Sequence, residues 1–362
     1  MSRIIVFGAT GYTGELVTRS LVRSGAAPLL VARSRDRVAA LAEELGGLDI
    51  AVADAGDASA LAAVVGRNDV LVSTVGPFLK YGEAAVRVAA ECGATYFDST
   101  GEGPFIREVF ERWGPVAAAN GGALLSAFGF DFVPGSLVGA LALEEAGPAA
   151  TAVDVAYFVK DVGTSGGTRA SIGGMMVEDA FALTGGTISA ERAGRRIEQF
   201  DVHGRSLTGV SIPGAEHLAL PASYPQLQDV GVFLGAPPAV ARAMSVAGVA
   251  SWPARRFGPA KALVGGAVGL VVKGSTGGPS AEQRARGRSF AVGIARDAAG
   301  RELSSVTLDG ADPYDFTADI LSWGARTAQE DGLDGVGGLG PVGAFGLERL
   351  TVGCAEAGFR RA

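Results

Sequence analysis

Ile4-Ile5-Val6-Phe7-Gly8-Ala9-Thr10-Gly11-Tyr12-Thr13-Gly14 is the stretch from which the fold follows. Its four apolar residues and its glycines at G-x-x-G-x-x-G spacing predict a buried strand, a tight turn and the start of a helix. Positions without a side chain let backbone approach a pyrophosphate, and the free N–H groups and positive dipole end of the next helix face that charge. Glycines in an ordinary strand-to-helix turn would show the same spacing without a ligand. Strand, glycines and helix nevertheless come in the order a dinucleotide site needs, as a variant Rossmann unit.

Outward from that turn, short apolar runs alternate with amphipathic ones up to about residue 128, the pattern of a parallel sheet covered on both faces. Strands are expected at 3–7, 28–32, 48–53, 69–74, 95–98 and 123–127, with helices near 12–24, 35–45, 57–65, 82–92 and 104–119. The second strand ends Val31-Ala32-Arg33-Ser34-Arg35, where an NAD enzyme usually carries an acid. A guanidinium at that point can fork onto a 2′-phosphate, so Arg33 with Ser34 favours NADP; solvated arginines at a helix start are the alternative. Asp54, ending the third strand, either meets the adenine amino group or caps a helix. Thr74-Val75-Gly76-Pro77-Phe78 follows the fourth strand and is expected to line the nicotinamide and its ribose. With Gly8, Thr10, Gly11, Tyr12, Thr13 and Gly14, these residues make up the expected cofactor site.

A chain of 362 residues with 48% hydrophobic composition can fill two cores. The net charge of -7, without a concentrated Lys/Arg run, offers no electrostatic footprint for nucleic acid. Cys92 and Cys354 lie in apolar helical contexts and suit buried thiols in a reduced cytoplasm; with two His in the whole chain, no metal site is expected. The N-terminus enters the first strand directly, which leaves no room for a signal peptide. Ala262 to Val272, the longest uncharged apolar run, is too short to span a bilayer as a helix. Together with Trp252-Pro253-Ala254-Arg255-Arg256-Phe257 it reads as an entrance wall, a dimer surface or a peripheral lipid contact.

From about 136 the pattern changes. Ala152 to Val159 and Ser289 to Ala295 alternate as antiparallel strands with one buried face, in a sheet expected to cover the Rossmann cleft. A helix is expected at 166–184, with Met175, Met176, Phe181 and Leu183 apolar, another at 312–328, and a last one near 344–357 returning to the first domain. The expected fold class is therefore α/β: a doubly wound Rossmann domain from 1–130 plus 340–362, and an α+β substrate and dimerisation domain from 131–339 with a mostly antiparallel sheet.

Hydride transfer needs a dry pocket and a proton donor near the atom that gains charge. Tyr81 and Lys160 are the catalytic candidates; Tyr157 and Tyr224 are further donors, and His203 and His217 read as lying in surface hairpins. Asp131, set among Phe128, Phe130 and Phe132, is expected to accept N–H groups of the next helix, with substrate contact as the alternative. There is no G-x-S-x-G elbow, and the first domain has no Tyr-x-x-x-Lys pair of the kind short-chain dehydrogenases use.

Gly8 to Gly14, Val75-Gly76-Pro77-Phe78, the Asp98-x-Thr100-Gly101-Glu102 turn and Gly129-Phe130-Asp131-x-x-Pro134 together resemble the saccharopine dehydrogenase-like oxidoreductases, and within them the actinobacterial trans-acting enoyl reductases. The likeness continues through Gly278-Pro279-Ser280-x-x-Gln283-Arg284-Ala285-Arg286-Gly287 and Asp312-Pro313-Tyr314. It implies NADP(H), a Rossmann domain, an inserted substrate domain with an antiparallel sheet, and often a homodimer. Three functions follow: an NADPH-dependent enoyl reductase for an apolar or carrier-bound acyl group; a saccharopine-type imine or carbonyl reductase, for which Lys160, Arg169, Arg192, Arg195 and Arg196 would bind substrate carboxylates; and a non-catalytic NADPH-binding sensor.

Overall fold

The computed structural model describes residues 2–163, 165, 180–192, 194–255 and 277–362. The N-terminal part alternates strand and helix: β1 (Ile4–Phe7), α1 (Tyr12–Arg23), β2 (Leu29–Ala32), α2 (Arg35–Glu44), β3 (Ile50–Val52), α3 (Ala58–Ala62), β4 (Val70–Ser73), α4 (Phe78–Tyr81), α5 (Glu83–Cys92), β5 (Thr95–Asp98), α6 (Gly103–Glu108), α7 (Gly114–Asn120) and β6 (Ala123–Leu125). A π-helical turn at Val109–Trp113 joins α6 to α7. Strand faces follow the two-residue period. Ile4, Val6, Leu30, Val70 and Val72 enter one core with Val17 and Leu21 of α1, while Ile5, Phe7, Val31, Leu71 and Tyr96 enter a second with Val86 and Ala89 of α5. The expected strands and helices of this region are present, with ends trimmed by a residue or two and the third helix cut to five residues.

Then come α8 (Val133–Ala146), β7 (Ala152–Lys160), β8 (Ala180–Thr184), β9 (Thr187–Glu191), β10 (Ile197–Val202), β11 (Arg205–Ser211), α9 (Glu216–Ser223), β12 (Asp229–Gly235), α10 (Pro238–Arg255), α11 (Ala281–Arg286), β13 (Arg288–Arg296) and β14 (Glu302–Gly310). The chain closes with α12 (Pro313–Glu330), β15 (Gly337–Gly338), α13 (Pro341–Phe345), α14 (Leu347–Glu356) and β16 (Arg360–Arg361). The first sheet is wholly parallel in the order β15-β6-β5-β4-β1-β2-β3. The second runs β10-β11-β12-β7-β13-β14-β16 and is antiparallel except where β12 pairs with β7. The expected α/β architecture, a Rossmann sheet beside a mostly antiparallel one, is therefore present.

Two elements differ from expectation. Helix α8 is apolar all round, with Val133 to Ala140 buried continuously, so it carries no amphipathic stripe from which a helix could be read. It lies between the two sheets: Leu137 and Val138 share one core with Val153, Val155 and Tyr157 of β7 and with Phe128 beyond β6. Residues 180–184 are a strand rather than the end of a helix, pairing with β9 in a separate hairpin; the rest of the expected helix at 166–184, including Met175 and Met176, lies outside the described residues. So do Arg169 and the apolar run 262–272.

The C-terminal segment is shared between the sheets. Asp312 caps α12 through the Tyr314 N–H (2.9 Å), and α12 packs on α1 with Phe316, Ile320 and Leu321 buried. The chain thus crosses to the first sheet at Pro313, ahead of residue 340, and β15 extends that sheet beside β6, whereas β16 adds to β14 of the second. Among the described residues, no helix is long and apolar enough to cross a membrane.

Candidate active site

All strands of a parallel sheet end at one edge, and the loops there meet the ligand. At this edge Gly8 has φ +88°, and a Cβ on it would lie 2.7 Å from Val75 Cγ2 and 2.8 Å from Thr74 Oγ1. A Cβ on Gly14 would stand 2.2 Å from the Gly8 carbonyl oxygen, so the turn closes only because both side chains are missing. The Gly11 N–H donates to that carbonyl (2.8 Å), and the Thr74 N–H donates to Phe7 O (2.9 Å), locking β1 to β4. Helix α1 begins with Gly11 as N-cap and no side-chain cap, leaving its first N–H groups for an anion.

Arg33 is exposed and has no hydrogen-bond or ion-pair partner among the described residues, at the end of β2. Ser34 is the N-cap of α2 without a side-chain bond. Arg37, one turn further on, donates to the Thr10 carbonyl (2.9 Å) and brings a second guanidinium to the glycine turn. Asp54 is exposed and accepts the Gly56 N–H (2.9 Å); the cap of α3 is Asp57. The backbone cradle, the uncapped helix and the unpartnered arginine fit a dinucleotide carrying a 2′-phosphate.

Tyr12 has a further role. Its hydroxyl donates to the Pro279 carbonyl (2.6 Å) and accepts from Arg284 Nη1 (3.1 Å), while Gly278 lies so close that a Cβ there would be 2.5 Å from the ring. Arg284 is itself held by Asp315 at 2.6 Å. The Gly278–Gly287 motif is thereby fastened to the glycine turn, a contact between residues 267 positions apart.

The rim continues through the next two loops. Glu102, 1% exposed, accepts the N–H groups of Phe78 (2.8 Å) and Leu79 (3.0 Å), which fixes the segment after Gly76-Pro77. Asp98 accepts from the N–H groups of Thr100 and Ala127 and from the Ser126 hydroxyl; burial raises its pKa to about 6 against those donors. The Asp-x-Thr-Gly-Glu turn is thus a scaffold for its neighbours. Leu79 and Tyr81 are exposed beside it, with Lys80 Nζ 4.9 Å from the Tyr81 ring centre.

Asp131 sits where that scaffold ends. Its Oδ2 lies 3.0 Å from where a Cβ on Gly101 would be. It is exposed, and desolvation by the protein around it raises its pKa to about 6. The expectation that it accepts N–H groups of the next helix is not met: among the described residues Asp131 accepts no hydrogen bond. Behind it, Tyr157 receives the Gly135 N–H (2.9 Å) and donates to Glu216 Oε1.

The two catalytic candidates are not brought together. No hydrogen bond joins Tyr81 and Lys160. Along β7, Val153, Val155 and Tyr157 face α8 whereas Ala156 and Phe158 face the opposite core, and Lys160 falls in step with the latter, on the side away from Asp131. His217 is a correction of a different kind: it is 2% exposed on α9, its Nδ1 accepting the Leu183 N–H (3.3 Å), not in a surface hairpin. Burial lowers its pKa to about 4. His203 is at an exposed hairpin turn, 2.8 Å from Asp309. Tyr224 donates to Glu144 (3.0 Å).

Residues 4–116 match the family profile described as the saccharopine dehydrogenase NADP-binding domain. This region is a saccharopine dehydrogenase-type NADP-binding domain, and its cofactor is NADP(H). Relatives named as trans-acting enoyl reductases extend the match: one from Mycobacterium tuberculosis is 40% identical over 140 residues and one from Mycobacterium leprae 38%. These matches cover 37% of this chain and 33% and 34% of the relatives, so the chain spans about a third of their length. The apo saccharopine dehydrogenase (L-Glu forming) of Saccharomyces cerevisiae is 12% identical but superposes with a TM-score of 0.59, covering 97% of this chain and 96% of its own. That likeness shows that the saccharopine dehydrogenase fold extends from the NADP-binding domain into the second sheet.

Proposed function

We propose that the chain is an NADPH-dependent reductase of a conjugated C=C bond in an apolar, carrier-bound acyl group. The observation that favours this over a saccharopine-type imine is where the arginines are. Arg192 is bonded to the Ser245 carbonyl (3.1 Å), Arg195 to Glu191 (3.1 Å) and Arg196 to Asp154 (3.1 Å), so none of these three is free to clamp a substrate carboxylate. Phe130 and Phe132 flank Asp131 in the chain, and Leu79 and Tyr81 are exposed on α4 at the same sheet edge. The names of the mycobacterial relatives point the same way.

In this reading Gly8, Thr10, Gly11, Tyr12, Thr13 and Gly14 hold the pyrophosphate against the α1 N-terminus, and Arg33 and Ser34 take the 2′-phosphate. Asp54 lies on the adenine side, and Thr74, Val75, Gly76, Pro77 and Phe78 on the nicotinamide side. When bound, the reduced nicotinamide supplies hydride; the chain's own residues orient the acceptor, exclude water and deliver a proton. A homodimeric state and a cytoplasmic location belong to the same proposal.

The test follows NADPH oxidation with enoyl thioesters of increasing chain length and, separately, with imines formed from amino acids and oxo acids. The enoyl thioesters are expected to turn over. Turnover of the imines alone would overturn the assignment, and NADPH binding without oxidation by either would favour the sensor.

A further inference from the structure

Helix α10 is turned inside out relative to an ordinary surface helix. Its buried line is made of small residues: Ala241 and Gly248 are buried, and a Cβ on Gly194 would lie 3.1 Å from Ser245 Cα, so the helix meets the β10–β11 end of the second sheet backbone to backbone. Its large side chains point outward. Val240, Met244, Val246 and Val249 are 47%, 38%, 68% and 55% exposed, four of the twelve large apolar side chains exposed among the described residues. At 3.6 residues per turn Val249, Val246, Ala243, Val240 and Met244 succeed one another around more than half of the helix circumference, with Arg242 the one charge between them. A clustered apolar face of this kind marks a surface that something covers.

The charge that accompanies this face has one sign. From Val230 to Ala281 the sequence holds five cations, Arg242, Arg255, Arg256, Lys261 and Lys273, and no acid, in a chain whose net charge is -7. Beside Val249 opens a cleft of about 300 Å³ that is also lined by Ala190, Glu191, Arg192 and Arg195. Arg192 donates to the Ser245 carbonyl (3.1 Å), which holds its charge against the helix. Arg195 pairs with Glu191, the acid of this cleft, at 3.1 Å, and its side chain is 60% exposed. An apolar arc accompanied by cations is complementary to an anionic lipid leaflet: acyl chains take up the valines and the methionine, and headgroup phosphates face the arginines. A second copy laid on the same face would bring like charges together.

We propose that the outward face of α10 is a docking surface for the anionic leaflet of a membrane, on which the chain lies without spanning it. Val240, Met244, Val246 and Val249 enter the boundary between headgroups and acyl chains, a depth of about 5–10 Å for such a face, while Arg242 and the arginines of the cleft stay at the level of the phosphates. Four half-exposed side chains and a few cations give reversible attachment rather than permanent insertion. The surface is independent of which acceptor the chain reduces, because it lies on the second sheet and not at the glycine turn.

The experiment sediments the whole chain with vesicles of phosphatidylcholine alone and with vesicles of equal parts phosphatidylcholine and phosphatidylglycerol. Binding to the mixed vesicles is expected to be about tenfold stronger or more, and to weaken as salt is raised. Val246→Glu combined with Val249→Glu is expected to lower the partition coefficient on mixed vesicles by about 100-fold, since each change removes buried apolar area and adds a repelled charge. Arg242→Ala should lower it by about fivefold, and Val246→Leu combined with Val249→Leu should keep it at or above the parental value. NADPH fluorescence titration is expected to give the parental affinity in every variant, which establishes folded protein. Arg242→Ala and the salt dependence carry the test if the double glutamate variant loses NADPH affinity as well.

A parent that stays in the supernatant with both kinds of vesicle would overturn the proposal. Equal binding to neutral and mixed vesicles would overturn the part assigned to anionic lipid. Undiminished vesicle binding by the double glutamate variant, with parental NADPH affinity, would move the lipid contact away from α10. A dimer seen by light scattering that the same variant splits, without vesicle binding by the parent, would give this face to a second copy instead.

Discussion

The glycine turn and the Asp131 loop share one sheet edge and are built in opposite ways. Between Gly8 and Gly14 the function lies in side chains that are missing: a 2.2 Å approach of a Cβ position to a carbonyl oxygen can exist only there. Around Asp131 the side chains are present and, among the described residues, incompletely satisfied: the Asp131 carboxylate has no donor and buried Glu216 has one oxygen unpartnered. The first construction binds a fixed group tightly and needs no titration. The second buries acids, at some expense in stability.

The contrast can be broken most sharply at Gly14. Gly14→Ala must push Gly8 away and is expected to cost about 3 kcal/mol in urea unfolding and to abolish NADPH binding; a stable variant that still binds NADPH would show that the turn has slack. Arg33→Asp should leave folding intact and weaken NADPH by about 10- to 100-fold, the range of a lost charge-assisted bond, with NADH nearly unaffected. Equal losses for both cofactors would remove Arg33 from the 2′-phosphate site and point to Arg37.

A third prediction uses buried His217, whose pKa is lowered to about 4 by desolvation. The unfolded chain takes up a proton near pH 6.5 and the folded chain does not, so this stability is present above 6.5 and is lost as pH falls toward 4. The slope from this group is at most about 1.4 kcal/mol per pH unit. His217→Gln should flatten that acid limb, and identical slopes in parent and variant would show that the folded protein protonates His217. The smallest effect is expected at the exposed His203–Asp309 contact, where His203→Ala should change unfolding free energy by about 0.5 kcal/mol or less.

The first sheet was legible because its information is local. Residues 95–98 were placed to the residue and the other strands of that run to within two at either end, since each strand is an apolar run bounded by its own turn signals. Helix α8 escaped because burial on every side erases the period by which a helix is recognised. The glycine turn was readable from its spacing, because only residues without a side chain allow so close a turn. Which sheet face Lys160 takes could not be read from its position in the chain, because that depends on the register of β7. Asp131 was singled out by its place in a loop after a sheet strand, among three aromatics, but the N–H contacts expected of it depend on packing that the sequence does not show.

What the sequence by itself determined is the alternation of strand and helix, the glycine turn with its NADP preference, and the change to alternating strands beyond 136. Those features arise from the backbone freedom, polarity and spacing of residues near one another in the chain. Only the tertiary structure decided that Tyr12 is fastened to Pro279, and that Tyr157 meets Glu216 in the core. Their sequence separations exceed the range of any local propensity. They are set by how α8 and the second sheet pack against the first, and that packing also places an acid out of water and gives it a proton to hold.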